Sequence, residues 1–134
     1  MALKGTRRIT NGLLLLGIGV IHDLVGIAAG MGLPGTLPRD LAGRKLFAEI
    51  LSGGIVGAIR TDPARNMLFW SLFFGFVIMI LGWFMHLIER SGHGIPRTVA
   101  WHTGALALAG GLLVPASGFW LVLPVAWRIG RGRP

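Results

Sequence analysis

Residues 9–32 read ITNGLLLLGIGVIHDLVGIAAGMG, and this run decides the fold class. It exceeds the roughly 20 apolar residues that cross a bilayer as a helix. After its first turn only the pair His22-Asp23 interrupts it. A charge at mid-membrane costs about 2.5–3.5 kcal/mol, so a carboxylate placed there must face protein, water or a partner. The basic residues Lys4, Arg7 and Arg8 before the run and Ala28-Ala29-Gly30 near its end imitate a signal peptide. The polar interruption argues instead for a retained membrane helix.

Outward from this run, three further apolar segments follow, at 67–88, 98–114 and 118–127. Asp62-Pro63 reads as an N-cap followed by proline at the first helical position, and Ser91-Gly92 as a stop. Pro96 opens the next helix, and Pro115 marks the turn into a last, short one interrupted by Pro124. The expected architecture is all-α: a single membrane domain over 1–134, with four transmembrane helices at about 9–32, 63–90, 96–114 and 116–129 in a compact bundle. A further amphipathic helix is expected at about 41–60. It has Lys45, Glu49 and Ser52 on one side and Phe47, Ile50, Leu51, Gly54 and Ala58 on the other, and would lie at the membrane interface.

Composition agrees with this reading. The 134 residues are 53% hydrophobic with mean hydropathy +0.70, and only 13% are charged, against about 25% in soluble domains. The absence of cysteine excludes disulfides and thiolate metal sites. The net charge of +8 does not form the basic face of a nucleic-acid binder, because the basic residues punctuate the apolar runs. Lys4, Arg7, Arg8, Arg90, Arg97, Arg128, Arg131 and Arg133 fall on one side of the expected membrane. Arg39, Arg44, Lys45, Arg60 and Arg65 fall on the other, diluted by Asp40, Glu49 and Asp62. That bias puts both termini of a multi-pass membrane protein in the cytoplasm.

Helix faces indicate how the bundle packs. Gly12, Gly19, Gly26 and Gly30 line one side of the first helix together with His22, and Asp23 is at its edge. Gly75 and Gly82 share a side of the second with Ser71, His86 and Glu89, opposite a bulky skin that includes Trp70, Phe73 and Phe84. Small residues let helix backbones approach closely in lipid, so these stripes are expected to be packing faces. His102, Ala105 and Ala109 suggest a comparable face on the third helix.

Two polar clusters follow from depth. His22, Asp23 and Glu49 lie toward the outer half and are the candidates for acid–base chemistry on a lipid or isoprenoid-like substrate. Neighbouring residues diverge by about 100° on a helix, so His22 and Asp23 are not expected to bond each other. His86 and Glu89, three residues apart, with His102 across a short hairpin, form a candidate metal-ligand set. Histidines near helix ends also serve as plain hydrogen-bond partners, and Glu89 can pair with Arg90 or Arg97. Haem is disfavoured, because glycine stripes imply close contact where a ring needs a gap. No nucleophile elbow, phosphate loop, zinc-protease helix or dinucleotide fingerprint occurs.

The stretch Ile21-His22-Asp23-Leu24-Val25-Gly26 resembles the first helix of a bacterial family of small four-helix membrane proteins of unknown function. So does the pattern running from Arg65 through Phe69-Trp70, Phe73-Phe74-Gly75 and Leu81-Gly82 to His86-Leu87-Ile88-Glu89-Arg90. The closing Pro115-Ala116-Ser117-Gly118-Phe119-Trp120-Leu121, followed by Pro124, resembles that family's C-terminal pattern. The likeness spans most of the chain and is weakest at 33–60. It implies four helices, the last one short, and transfers no catalytic residue.

The functional expectation is a non-catalytic scaffold, accessory subunit or homo-oligomer in contact with membrane lipids, with no cofactor. The alternatives are a membrane enzyme acting through His22 and Asp23, a metal- or cofactor-binding module at His86, Glu89 and His102, and proton or solute transport.

Overall fold

The computed structural model describes residues 9–35, 41, 43–54, 56–57, 61–114 and 117–132. They form an all-α protein of five α-helices, with no strand among the described residues. The helices are α1 (Asn11–Gly30), α2 (Leu46–Gly53), α3 (Pro63–Arg90), α4 (Arg97–Leu113) and α5 (Val122–Gly130), the last preceded by a 3-10 turn at Gly118–Leu121. Two helices, α1 and α3, are long and apolar enough to cross a membrane. The expected charges Lys4, Arg7, Arg8, Arg39, Asp40, Arg60 and Arg133, along with Ala58 and the Pro115-Ala116 turn, lie outside the described residues.

The helix ends follow local chemistry. Asp62 Oδ1 accepts from the amides of Ala64 (2.9 Å) and Arg65 (3.2 Å), the N-cap expected ahead of Pro63. Helix α1 stops where Leu33 donates to Ala28 and Gly32 to Ala29, a Schellman closure. Gly32 there has φ +74, and a Cβ would lie 2.6 Å from the Arg44 carbonyl, so glycine is required twice over. At the end of α3, Gly92 donates to Glu89 and His93 to Ile88 in the same pattern.

Two helices differ from expectation. Within the helix expected at 41–60, α2 covers Leu46–Gly53; Gly54 caps it with φ +74, a conformation suited to glycine, and Val56 and Gly57 are helical again. The short last helix, expected from about 116, is α-helical over Val122–Gly130, after the 3-10 turn at Gly118–Leu121. Pro124 cannot donate to the carbonyl one turn earlier, so the α-helix starts at Val122, which leaves Pro124 in the first turn where no donor is needed.

Two compact units are distinguished, Met1–Ile18 with Ile78–Pro134 and Gly19–Val77. In the first, α1 and α3 run antiparallel at backbone contact. A Cβ on Gly82 would meet Leu16 N at 2.5 Å and Gly12 O at 2.8 Å. Leu15, Met85, Ala100, Ala107, Val122, Val125 and Ile129 fill this unit's core. Helices α4 and α5 form a hairpin in which Phe119 and Trp120 cover Gly110 and Gly111. In the second unit, Leu46, Ala64 and Leu68 form the core, the Phe47 ring rests on Gly30, and Gly26 faces Leu72.

The expected inner face of α4 is corrected. His102, Ala105 and Ala109 are exposed, and Ala100, Ala107 and Gly111 are the buried residues. Small residues stand on all sides of this helix, so size alone could not identify the side that packs.

Candidate functional site

In the Gly19–Val77 unit, His22 reaches across from α1 to α3. Its Nε2 lies 3.1 Å from the Ser71 carbonyl and 3.0 Å from Ser71 Oγ. The Ser71 carbonyl can only accept, whereas its hydroxyl can donate or accept, so the direction of each bond is set by the imidazole tautomer. Asp23 is 5% exposed, and neither carboxylate oxygen has a hydrogen-bond partner among the described residues. The carboxylate lies in the space left by the missing side chain of Gly75. A Cβ there would fall 2.5 Å from Asp23 Cγ and overlap Oδ1. His22 and Asp23 therefore engage different neighbours, as their divergence on the helix requires.

Glu49 does not join this pair. It forms an ion pair with Arg44, and Arg44 Nη2 donates to Asp62 Oδ2 at 2.7 Å. Arg65 Nε stands 3.6 Å from the same Asp62 oxygen. The Arg44 guanidinium, aided by the Arg65 and Ala64 amides, holds the Asp62 carboxyl down at about 2. It lowers Glu49 as well, and the two carboxylates in turn raise Arg44. This cluster ties the start of α2 to the start of α3.

In the other unit, Glu89 caps α1 from a different helix. One oxygen accepts from Asn11 N (3.1 Å) and Asn11 Nδ2 (2.7 Å), and the other from Gly12 N (2.9 Å). A carboxylate at a helix N-terminus meets two unpaired amides and the positive end of the helix dipole. Thr10 Oγ1 accepts from the Leu13 amide and shares a 2.8 Å hydrogen bond with His86 Nδ1. Arg128 of α5 donates from Nε to Asn11 Oδ1 and from Nη2 to the Ile9 carbonyl, each at 3.1 Å.

The candidate metal set is not brought together. Glu89 faces amides and His86 faces Thr10, while His102 Nδ1 donates to the Thr98 carbonyl of its own helix at 2.7 Å. Among the described residues, no three His, Asp or Glu side chains converge on a point where an ion could sit. The roles of Thr10, Asn11 and Arg128 had no local signal. Their partners lie 76 or more residues away in the sequence, apart from Leu13, whose amide donates to Thr10.

Two grooves indent the first unit. A recess of about 310 Å³ is lined by Asn11, Glu89, His93 and Ile129. A larger groove of about 900 Å³, mostly apolar, runs between α4 and α5. His22 and Asp23 line neither.

Fold and polar contacts thus define an all-α protein with two helices of membrane-crossing length and its polar groups at helix–helix contacts. The chain belongs to a family of unknown function (DUF6463), which matches it over residues 6–133. No curated protein and no solved structure matches the chain.

Proposed function

We propose that this chain is a non-catalytic integral membrane subunit of the bacterial inner membrane. In this reading α1, α3, α4 and the short α5 are all membrane-embedded, both termini are cytoplasmic, and the protein assembles with itself or with a larger membrane complex. The observation that carries the reading is where its polar groups point. His22, His86 and Glu89, all within the long apolar helices, bind the chain's own Ser71, Thr10, Asn11 and Gly12. Such contacts hold helices together in a bilayer, and among the described residues they leave no convergent set of His, Asp or Glu side chains.

The surface supports a lipid environment. Trp70, Phe73, Phe76, Trp83 and Phe84 of α3 are all more than half exposed, and large exposed apolar surfaces mark contact with a membrane or a partner. The glycine faces of α1 and α3 are filled within the chain, so a partner is left the side of α4 where Ala109, Leu112 and Leu113 are exposed.

Native mass spectrometry of the protein gently released from its own membrane tests this. A stoichiometric complex with itself or with another chain is expected. A bare monomer from every mild detergent refutes the subunit reading.

Asp23 favours a second reading, a membrane-embedded acid–base site. Its buried carboxylate has no hydrogen-bond partner among the described residues, unlike the other polar groups of α1.

A further inference from the structure

We propose that the groove between α4 and α5 is a binding site for one anionic glycerophospholipid, with its phosphate held by Arg97 and Arg131 and one acyl chain lying along the groove. The inference rests on the membrane reading above. Its basis is a charge pattern on an otherwise apolar surface.

The groove exists because the seam between the two helices is built of small residues. Ala100 Cβ faces Gly130, and Ala126 Cβ faces Gly104, at 3.6 Å from where each glycine's Cβ would stand. These pairings make α4 and α5 antiparallel, so Arg97 at the start of α4 and Arg131 just past the end of α5 reach the same end of the groove. Both line it, and no acidic residue does. Neither arginine has an ion-pair partner among the described residues, whereas Arg44 and Arg65 do. The guanidinium of Arg131 lies 4.3 Å from the Trp127 ring centroid, which holds it at the mouth of the groove.

Depth fits the same ligand. Trp101 and Trp127, 79% and 63% exposed, flank the charged end, as aromatic residues do at a headgroup boundary. Beyond them the lining becomes Leu108 and Leu123. From Arg97 to Leu108 the helix rises about 17 Å, close to half of the roughly 30 Å hydrocarbon thickness. One leaflet's acyl chain therefore matches the groove. Its volume of about 900 Å³ also lies within the usual range for small-molecule sites.

The test uses the full chain in mild detergent, incubated with phosphatidylglycerol or phosphatidylcholine of identical chains, with bound lipid read by native mass spectrometry. Each arginine near an anionic group contributes about fivefold, so a preference of roughly 30-fold for phosphatidylglycerol is expected. Arg97→Gln with Arg131→Gln should abolish that preference, while Arg90→Gln, exposed on α3 and outside the groove, should keep it. Ala105→Phe, which fills the groove from an exposed position, should remove both lipids. Unchanged preference in the double variant overturns the proposal, as does displacement of phosphatidylglycerol by excess inorganic phosphate or closure of the groove by a second copy of the chain. If the protein instead remains monodisperse without detergent, the membrane reading itself fails. That result is distinct from a membrane protein that ignores the headgroup.

Discussion

Alanine at Gly12 and alanine at Gly17, both on α1, should shift stability in opposite directions. At Gly12 a Cβ would fall 2.5 Å from the Gly82 carbonyl oxygen and 2.6 Å from His86 Cα, and closer still to the His86 amide nitrogen. These are all backbone atoms of α3, so no rotamer change relieves the contact. Carbon atoms rest at about 3.5–4.0 Å, so the helices must part locally by about 1 Å, which forfeits a quarter to a half of the dispersion energy there. Overpacking of this kind costs about 1–3 kcal/mol, and backbone against backbone belongs at the upper end. Alanine recovers about 1 kcal/mol of helix propensity, leaving a net loss of roughly 2 kcal/mol. Parting the helices also stretches the 2.9 Å bond from Gly12 N to Glu89. At Gly17 nothing lies within 4 Å of the new methyl, so only the propensity gain remains. The two variants should differ by roughly 3 kcal/mol, about a hundredfold in the unfolding constant. Reversible SDS-driven unfolding in mixed micelles, followed by tryptophan fluorescence, measures this. If the variants agree within about 0.5 kcal/mol, the backbone contact between α1 and α3 is refuted.

Other expectations are as direct. Glu89→Ala removes three acceptor contacts at the start of α1 and should cost roughly 2–3 kcal/mol, with Glu89→Gln costing less; faster hydrogen exchange confined to the first turn of α1 would identify the lost cap. The cluster around Arg44 contributes stability that is present above the ordinary carboxylate range, because the Asp62 and Glu49 pKa values are both lowered by folding. It should be lost as pH falls from roughly 4, where an unfolded Asp titrates, toward the folded Asp62 value of about 2. Exchange at α2 amides against pH checks this, and Arg44→Gln should flatten the profile. Since the chain has no cysteine, single cysteines at Ser52, Ser91 and Ser117 can report topology with an impermeant maleimide. Ser91 alone should be labelled from the cytoplasmic side, and any other pattern removes the four-helix membrane reading. Asp23→Ala removes a buried carboxylate that has no hydrogen-bond partner among the described residues and should raise stability in the same SDS assay by about 1–2 kcal/mol.

What could be read from the sequence was local. Asp62-Pro63 and Ser91-Gly92 bound α3 where capping chemistry says they must, and the lengths of α1 and α3 follow from long, predominantly apolar runs. The glycines at 12, 26, 30, 75 and 82 do face neighbouring backbone or side chains, and Gly19 is buried. Their use is internal, which moves the surface available to a partner onto α4. The buried side of α4 was illegible for the opposite reason: with Gly104, Ala105, Ala107, Ala109 and Gly110 in succession, every face can approach a neighbour. The break after α2 depends on the backbone of one glycine, Gly54, which the periodicity of its neighbours outvoted.

The polar residues divide along the same line. That His22, Asp23, His86 and Glu89 face protein was legible, because polar groups within long apolar helices are tolerated best at helix contacts. Their partners were not, since Ser71, Asn11 and Arg128 become neighbours only through the tertiary fold. Once placed, His22, His86 and Glu89 have their burial answered by a hydroxyl, a carbonyl or an amide of a facing segment. Asp23 is answered by the bare backbone of Gly75, which supplies room and no hydrogen bond to the carboxylate. Room alone does not offset the desolvation of a carboxyl group, so this residue lowers stability where it stands. A side chain that destabilises its own helix contact is explained by function or by a partner group outside the chain. The Asp23→Ala variant separates that account from a purely structural one: a stabilised protein that no longer assembles or acts would place the function at Asp23, and a destabilised one would make Asp23 part of the packing after all.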